Sequence, residues 1–440
     1  MNPIVNYIFT LLQSGWTSLL DYLAAHVLLC LVPAFFIAGA LSALIPKETV
    51  TRYLGPRASK WISYPAAAVG GFVLAVCSCT ILPLFAGIWK RGAGLGPAIT
   101  FLFVGPAVNI LAIAYTGAAI GMDIAIARIV LSIIFGIAIG LIMAALFKDG
   151  QEVADSSLFD QRAQIRPAVW PFFGLLLAVL IVGTLQVDVL TRTWFSVTLP
   201  LDIPTNLQTA LEGVHLNFQG ALLIIMLMVI ALAAWRGLEP VLEQTNGWTW
   251  ATMVLVAATL LIAAPVLDAT GSVVIGFTGR FIGEVVLLAG IAVVAARGLE
   301  RHQLQEWLWE TWRFVRQIFP LLIVGVFGAG IVKAVIPEQW IQTLAGRNTV
   351  WANLIGVLFG VFMYFPTLVE VPIARMFLEL GMHRGPLLAY LLADPELSVQ
   401  SILVTGKILG SKRTWVYVSL VTVFSTLAGY IFGLALASIS

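Results

Sequence analysis

The sequence predicts an all-α polytopic membrane protein with two inverted repeats, each containing a re-entrant helical hairpin and a broken helix. Three observations support this fold class. Hydrophobic residues make up 60% of the chain and charged residues only 10%, whereas about a quarter of a soluble domain is charged. Two long apolar segments are interrupted by proline and polar residues. The two ends of the chain also share a pattern of Gly and Pro residues.

The apolar runs long enough to cross about 30 Å of hydrocarbon predict about ten transmembrane helices. They fall at about residues 23–45, 95–119, 124–147, 168–187, 218–235, 250–267, 272–296, 317–336, 386–406 and 414–437. Residues 1–22 and 297–316 have the composition of interfacial helices. Two further segments, at about 62–89 and 350–378, are too long and too interrupted for ordinary spans.

The distribution of Lys and Arg favours re-entrant hairpins for these two segments. If both segments turn back, 17 Lys and Arg lie on one side of the membrane and 3 on the other. If both cross completely, the division is 9 against 11. Because cytoplasmic loops carry an excess of Lys and Arg, we expect two hairpins, with both chain termini outside.

Residues that shape the backbone recur near an offset of 289 positions. The matched pairs include Pro83 and Pro372, Gly92 and Gly381, Pro106 and Pro395, and, at an offset of 290, Gly70 and Gly360. With two re-entrant hairpins, the first copy enters the membrane from outside and the second from inside. The repeats are then inverted, an arrangement that supports alternating access about a central site.

The predicted organisation has four regions along the chain. Residues 1–147 form an N-terminal membrane repeat, and residues 148–167 form a cytoplasmic linker. Residues 168–300 contain the middle transmembrane helices, and residues 301–440 form a C-terminal membrane repeat. Residues 188–217 read as a loop on the outside.

One helix in each repeat is expected to break in its middle. The breaks are predicted at Gly105-Pro-Ala-Val-Asn109 and Asp394-Pro-Glu-Leu-Ser398. A proline removes a backbone donor and clashes with the preceding turn, so free carbonyls and helix ends remain near the bilayer centre. Discontinuous helices of this kind build the binding sites of secondary transporters.

The first repeat contains three short motifs: Val76-Cys-Ser-Cys-Thr80 followed by Pro83, Lys90-Arg-Gly-Ala-Gly-Leu-Gly-Pro97, and Gly105-Pro-Ala-Val-Asn109. With these motifs the chain resembles the predicted-permease family that includes ArsP, and the resemblance covers both repeats. It implies a secondary active permease rather than an enzyme, located in the bacterial cytoplasmic (inner) membrane. It further implies efflux of trivalent organoarsenicals, and hence arsenic resistance.

Cys77 and Cys79 are candidate ligands for a thiol-reactive substrate. Thiolates are soft ligands that select trivalent metalloids, Cu(I) or Zn, and a Cys-x-Cys spacing on an unwound tip could clamp a two-coordinate species. Alternatively, the two residues are small side chains that let the tip pack tightly, or they have a redox role. Cys30, a lone thiol in the first span, is expected to be a packing residue.

Glu370 is the strongest electrostatic signal, because a charged group near mid-membrane costs at least about 2.5–3.5 kcal/mol unless it is neutralised or paired. We expect it to bind a proton or a cation. Asp394 and Glu396, at the second break, are expected to share the proton-coupling role. The structural alternatives for Glu370 are an ion pair with Arg375 or a cap on the hairpin tip, and the alternative for Asp394 is an ordinary Asp-Pro turn.

Other polar residues in the membrane segments have two readings. Ser78, Thr80, Asn109, Thr367 and Ser398 could hydrogen-bond the substrate or could satisfy freed backbone groups. Arg280 and Glu284, four residues apart in one span, are expected to form a structural ion pair.

The sequence excludes several classes of protein. It contains no P-loop, no metal-binding His cluster and no nucleophile–base pair, so we expect no cofactor and no ATP-driven pump. The energy for transport must then come from an ion gradient or from a partner. The expected partners are a small thiophilic substrate and membrane lipid, with no nucleic acid and with a possible homodimer. Three alternatives stay open: a soft metal ion exporter, an uptake system for a reduced-sulfur compound, and a membrane thiol oxidoreductase.

Overall fold

The structure is a computed structural model in which most of the chain is helical. The residues that it describes are 3–25, 27–45, 47–56, 58–74, 78–108, 110–147, 167–185, 187–202, 216–268, 272–335, 339–362 and 370–439. They belong to two compact units. Unit 1 comprises Met1–Gly15, Lys47–Ala163 and Pro320–Ser440, and unit 2 comprises Trp16–Pro46 and Gln164–Phe319. The four sequence regions predicted above stay a prediction.

Apolar segments punctuated by Gly and Pro form the helices. The N-terminal part contains α1 Pro3–Ala25, a π-helix Val27–Leu31, α2 Val32–Leu44, α3 Lys47–Leu54, α4 Lys60–Leu74, α5 Ser78–Lys90, α6 Leu95–Ala107, α7 Ile110–Ala119 and α8 Met122–Leu146. The middle contains α9 Val169–Thr184, α10 Asp188–Thr191, β1 Thr193–Asp202, α11 Phe218–Gly237, α12 Gly247–Ala263, β2 Val266–Asp268, β3 Ser272–Thr278 and α13 Gly279–Gly298. The C-terminal part contains α14 Arg301–Val335, α15 Gln339–Ala345, α16 Val350–Phe362, α17 Glu370–Glu379, α18 Arg384–Ala393, α19 Val399–Leu409 and α20 Ser411–Ile439.

The helical membrane architecture is confirmed. Within the described parts of the chain, four helices are long and apolar enough to cross a membrane alone, namely α8, α11, α13 and α20. The segments Tyr7–Ala24 and Leu28–Leu44 pass the same criteria as a pair bent by 50°. Several shorter apolar helices, among them α6, α9, α12 and α16, complete the set.

Both predicted helix breaks are present. The predicted span at 95–119 divides into α6 and α7 after Ala107, and the span at 386–406 divides into α18 and α19 after Ala393. Pro106 and Pro395 lie at these two interruptions, where a proline cannot donate the backbone hydrogen bond that would continue the helix.

A small antiparallel sheet in unit 2 was not predicted. Its strand order is β1-β3-β2, with Val197 opposite Ile275 and Leu267 opposite Ile275 on the other edge. Residues 266–267 and 272–278 were assigned to the ends of two spans, but β3 reads Ser-Val-Val-Ile-Gly-Phe-Thr. β-Branched and aromatic residues favour an extended pleated segment, so hydropathy alone misplaced the helix ends.

The helices α4 and α5 form a hairpin beside α6. An added Cβ at Gly96, early in α6, would clash with the Tyr64 hydroxyl, early in α4. Gly71 late in α4 faces Gly105 late in α6, with an added Cβ 2.9 Å from the Gly105 nitrogen, so α4 and α6 run in parallel. Ile81, early in α5, also contacts Gly105, and α5 leads directly into α6 through a short turn. The helices α4 and α5 are therefore antiparallel.

The second interrupted segment has the same arrangement around α18. Gly356 faces the backbone of Pro386, and Gly360 faces the backbone of Asp394, with an added Cβ 3.0 Å from its nitrogen. The helices α16 and α18 therefore run in parallel. The helix α17 returns to α18 through a turn at Gly381, whose φ is 92°, so α16 and α17 are antiparallel.

Each described helix of the two hairpins is shorter than the hydrocarbon layer of a bilayer. The arms α4 and α5 contain 15 and 13 residues, and α16 and α17 contain 13 and 10. At 1.5 Å per residue, the longest of them reaches about 22 Å against about 30 Å of hydrocarbon.

The repeat offset is visible in the backbone. The described glycines with positive φ are Gly92, Gly121, Gly381 and Gly410, which form two pairs 289 residues apart. The sequence comparison matched Gly70 with Gly360, but in the structure the counterpart of Gly360 is Gly71. Gly71 faces the interruption after α6, and Gly360 faces the interruption after α18. The offset therefore stays at 289 here and does not drift to 290.

The equivalent helices α8 and α20 pack antiparallel to each other. They begin at Met122 and Ser411, again 289 residues apart. The rings of Phe135 and Phe424 are 5.1 Å apart near the middle of the pair. Phe147, at the end of α8, lies 5.9 Å from the Arg413 guanidinium, at the start of α20.

We predict that the two ends of each hairpin face the same side of the membrane. In a cysteine-free background, single cysteines at the exposed positions Lys60 and Lys90 are expected to react with an impermeant maleimide from one side. Cysteines at Thr349 and Glu379 are expected to react from the opposite side, because α8 and α20 run in opposite directions. Labelling of Lys60→Cys and Lys90→Cys from opposite sides would contradict the hairpin.

Candidate functional site

The centre of unit 1 contains an ion pair that links the two halves of the chain. Arg128 in α8 donates from Nη2 to Oε2 of Glu370 over 3.0 Å, and both side chains are 0% exposed. Glu370 is the first residue of α17, the returning arm of the second hairpin. A buried ion pair needs further hydrogen bonds to offset its desolvation. The groups around this pair therefore determine whether it stabilises the fold.

The ends of two helices supply part of that compensation. Arg128 donates from Nε to the carbonyl oxygen of Ala107 over 3.2 Å, and Ala107 is the last residue of α6. The carboxyl end of a helix has partial negative charge and its amino end has partial positive charge. Arg128 therefore meets the negative end of α6, and Glu370 lies at the positive end of α17.

The other repeat makes the corresponding contact with different side chains. Tyr417 in α20 is the equivalent of Arg128, and Glu396 is the equivalent of Ala107, each 289 residues later. The Tyr417 hydroxyl donates to Oε2 of Glu396 over 2.9 Å. In both repeats, the long helix thus hydrogen-bonds the interruption of the broken helix.

The second break adds further buried polar groups. Asp394, Glu396 and Tyr390 are buried, and Pro395 prevents the helix from continuing through them. Ser398 restarts the chain as α19, because its hydroxyl oxygen accepts from the Ser401 backbone N–H over 3.2 Å. The Tyr390 hydroxyl lies within electrostatic range of Asp394 and Glu370.

The charge of this cluster is unbalanced. Among the described buried residues of unit 1, three carboxyl groups, on Glu370, Asp394 and Glu396, accompany one guanidinium. Oε1 of Glu370, Nη1 of Arg128 and the Tyr390 hydroxyl have no hydrogen-bond partner among the described residues. Buried polar atoms are rarely left unsatisfied, so the cluster can accept a proton, an ion or a polar ligand.

Several predicted site residues lie outside the described part of the chain. These are Cys77, Asn109 and Thr367, together with the side chains of Ser78 and Cys79. Thr80, in the first turn of α5, is buried. Their substrate-binding roles stay predictions.

The alternative prediction that Glu370 forms its ion pair with Arg375 was wrong. Arg375 pairs with Glu379, one turn along α17, with Nε 3.1 Å from Oε1. That pair is exposed to solvent, whereas Glu370 points to α8. A helical neighbour was the obvious choice from sequence, but the partner comes from 242 residues away.

Sequence reasoning gave no role to Arg128, Tyr390 or Tyr417. A signal for Arg128 existed, because an arginine inside an apolar span is expensive and marks a functional site. The repeat offset would then have led to Tyr417. No sequence pattern connects Tyr390 to the cluster.

The described residues offer no metal centre. Within them, no group of three or more His, Cys, Asp or Glu side chains could hold a metal ion.

We predict that Glu370→Gln lowers the free energy of unfolding by about 3–5 kcal/mol. The change leaves the Arg128 guanidinium buried, and arginine does not lose its charge in proteins. The double variant Arg128→Met/Glu370→Gln is expected to regain most of this loss, since no charge then remains unpaired. Chemical unfolding in detergent micelles measures both effects.

The matched control is Arg375→Gln, which removes the exposed pair on the same helix and is expected to cost no more than about 1 kcal/mol. If the losses of unfolding free energy in Arg128→Met and Glu370→Gln simply add up in the double variant, the two side chains do not pair directly.

Comparison with known proteins identifies the family. The ArsP_1 family, described as predicted permeases, matches residues 14–434. The UPF0718 protein MJ0584 of Methanocaldococcus jannaschii is 36% identical over 438 residues, which covers 98% of this chain and 99% of the relative. No solved structure matches the chain. The chain therefore belongs to the ArsP_1 family of predicted permeases, and it is a multi-pass membrane transporter.

Proposed function

We propose that this permease exports a thiol-reactive metalloid species, such as a trivalent organoarsenical, across a bacterial cytoplasmic membrane in exchange for protons. The observation that carries the proposal is the buried cluster around Arg128 and Glu370, in which Arg128 joins the first helix break to the start of α17. A transporter needs polar groups at mid-membrane that can exchange partners, and this cluster has polar atoms with no hydrogen-bond partner among the described residues.

The packing of unit 1 supports inverted repeats and alternating access. Equivalent helices run in opposite directions, as the contacts between Phe135 and Phe424 and between Phe147 and Arg413 require. In a bilayer, two such helices have opposite orientations. Rocking of one repeat against the other would then expose the cluster to each side in turn.

The first hairpin supplies the proposed substrate ligands. The described ends of its two arms lie beside the break of α6, since Ile81 in α5 and Gly71 in α4 both contact Gly105. Cys77 and Cys79 belong to this tip in sequence. Thiols are soft ligands that condense with the hydroxyl groups of trivalent arsenic. Each As–S bond that forms replaces an As–O bond, and the thiol proton leaves with the hydroxyl group as water.

Ser78, Thr80, Asn109 and Thr367 are proposed to hydrogen-bond the hydroxyl groups of the metalloid as it enters, before the thiols displace them as water. They come from the two hairpin tips and the first break in sequence. Hydroxyl and amide groups can both donate and accept hydrogen bonds, which suits a hydroxylated neutral species.

The second break supplies the proposed proton sites. Three carboxylates beside one guanidinium would give a net charge of −2 in a medium that penalises charge. Protons can remove this excess. Because Glu370 is paired with Arg128, Asp394 and Glu396 are the groups that can gain and lose a proton without breaking that ion pair.

We predict that replacing Cys77 and Cys79 together by Ser abolishes transport. The assay is uptake of methylarsenite into inside-out vesicles, with arsenite, Cu(I) and Zn as parallel substrates. Serine preserves size but is a poor ligand for soft metalloids, so expression is expected to stay near normal while uptake falls to background. The matched control is Cys30→Ser, with a near-wild-type rate. Wild-type uptake by the double variant would rule out a thiolate-bound substrate.

We further predict that Glu396→Gln removes the dependence of transport on a pH gradient. Glutamine keeps an acceptor for the Tyr417 hydroxyl, so the variant is expected to fold and to retain downhill flux of methylarsenite. Glu379→Gln, which alters an exposed carboxylate of the second hairpin, is the control and should respond to pH as the wild type does. Proton-driven flux that survives both Glu396→Gln and Asp394→Asn would exclude these residues as proton carriers.

A further inference from the structure

Unit 2 contains a buried carboxyl group that the proposed transport site does not use. Glu284 is in α13, one of the helices long enough to cross the membrane. Its side chain is fully buried, and neither carboxyl oxygen has a hydrogen-bond partner among the described residues. A buried polar group in this condition requires an explanation.

The expected partner of Glu284 is engaged elsewhere. Arg280 lies one helical turn earlier, the spacing that favours an ion pair. In the structure, however, Nη2 of Arg280 donates to the Leu185 carbonyl over 3.1 Å, and Leu185 follows the last residue of α9. The predicted ion pair between Arg280 and Glu284 is therefore not formed.

The backbone around Glu284 is closely packed and irregular. An added Cβ at Gly183 in α9 would lie 2.6 Å from the Leu29 carbonyl oxygen and 3.5 Å from Oε1 of Glu284. Because Gly183 has no side chain, the Glu284 carboxyl group can lie next to the π-helix Val27–Leu31. Single π-helical turns occur frequently at functional sites, because they interrupt the regular hydrogen-bond ladder.

Few described groups near Glu284 can bear charge. The helices α9 and α12, which pack on α13 or on the π-helix, contain no titratable side chain. The remaining titratable groups of the neighbouring elements are Arg280 and Arg297 on α13 itself, Asp188 on α10, which is exposed, and Cys30 in the π-helix. Arg297 lies in the last turn of α13, at the opposite end of the helix from Glu284. Arg280 is therefore the cation available to Glu284 within the described part of unit 2.

We propose that Glu284 is a proton-binding site, separate from the candidate transport site, and that Arg280 is its positioning residue. With the proton bound, the neutral carboxyl group needs no counter-ion, and Arg280 donates to Leu185. When the proton leaves to solvent, the carboxylate attracts the guanidinium one turn away. The proton thus decides whether Arg280 connects α13 to the end of α9 or to its own helix. This proposal does not depend on the transported substrate.

Infrared difference spectroscopy distinguishes the two forms of the carboxyl group. In the spectrum of the wild type minus Glu284→Gln at neutral pH, we expect the C=O stretch of a protonated carboxylic acid, with a shift in D₂O and a loss at alkaline pH. Glu243→Gln, which alters an exposed carboxylate of the same unit, is the control and should show carboxylate bands alone. Carboxylate bands alone from Glu284 at neutral pH would overturn the proposal.

Arg280→Gln provides a second variant that leaves Glu284 intact. Without the guanidinium the carboxylate loses its counter-ion, so the carboxylic acid band is expected to persist to higher pH than in the wild type. Identical pH titrations of this band in Arg280→Gln and in the wild type would show that Arg280 does not respond to the charge of Glu284. The Arg280 comparison decides the question even if Glu284→Gln fails to fold.

Discussion

Arg128 joins three parts of the chain that are distant in sequence. Its guanidinium contacts Glu370 at the start of α17 and the carbonyl of Ala107 at the end of α6. The negative carboxyl end of α6, the Arg128 guanidinium, the Glu370 carboxylate and the positive amino end of α17 follow one another in space. Each group is therefore next to one of opposite sign. The pair is fully buried, which is tolerable only because the helix ends and the ions compensate each other. Both the hairpin and the break are therefore required to hold it.

The two repeats use the same backbone plan to carry different chemistry. Glycines at equivalent places allow the hairpins to approach the breaks, as Gly71 does at Gly105 and Gly360 at Asp394. A Cβ at either glycine would meet backbone atoms at about 3 Å, so these positions preserve shape. The side chains are free to diverge, and Arg128 in one repeat corresponds to Tyr417 in the other. The two repeats therefore have equivalent backbones, but their side chains form a charge cluster that is not symmetric.

This asymmetry suits the proposed mechanism. The thiols belong to the first hairpin tip, and the carboxyl groups belong to the second hairpin and the second break. The proposal thus assigns substrate selection and proton binding to opposite repeats, which Arg128 links through its bonds to Ala107 and Glu370. In unit 2, Glu284 is buried without an ion pair, and its carboxyl group depends on a proton where Glu370 depends on a guanidinium.

Sequence alone was sufficient for the membrane class, the helix breaks and the two interrupted segments, because hydropathy and proline chemistry act locally. It also selected Glu370, Asp394 and Glu396, since carboxylates are conspicuous in apolar segments. The small sheet was not predicted, because a short sequence rich in β-branched residues is as apolar as the end of a transmembrane helix. The partner of Glu370 could not be read from local spacing, which favoured Arg375. Only the packing of α17 against the interior of the unit brings Glu370 to Arg128, 242 residues away, because side-chain pairing in the membrane is decided by which helices meet.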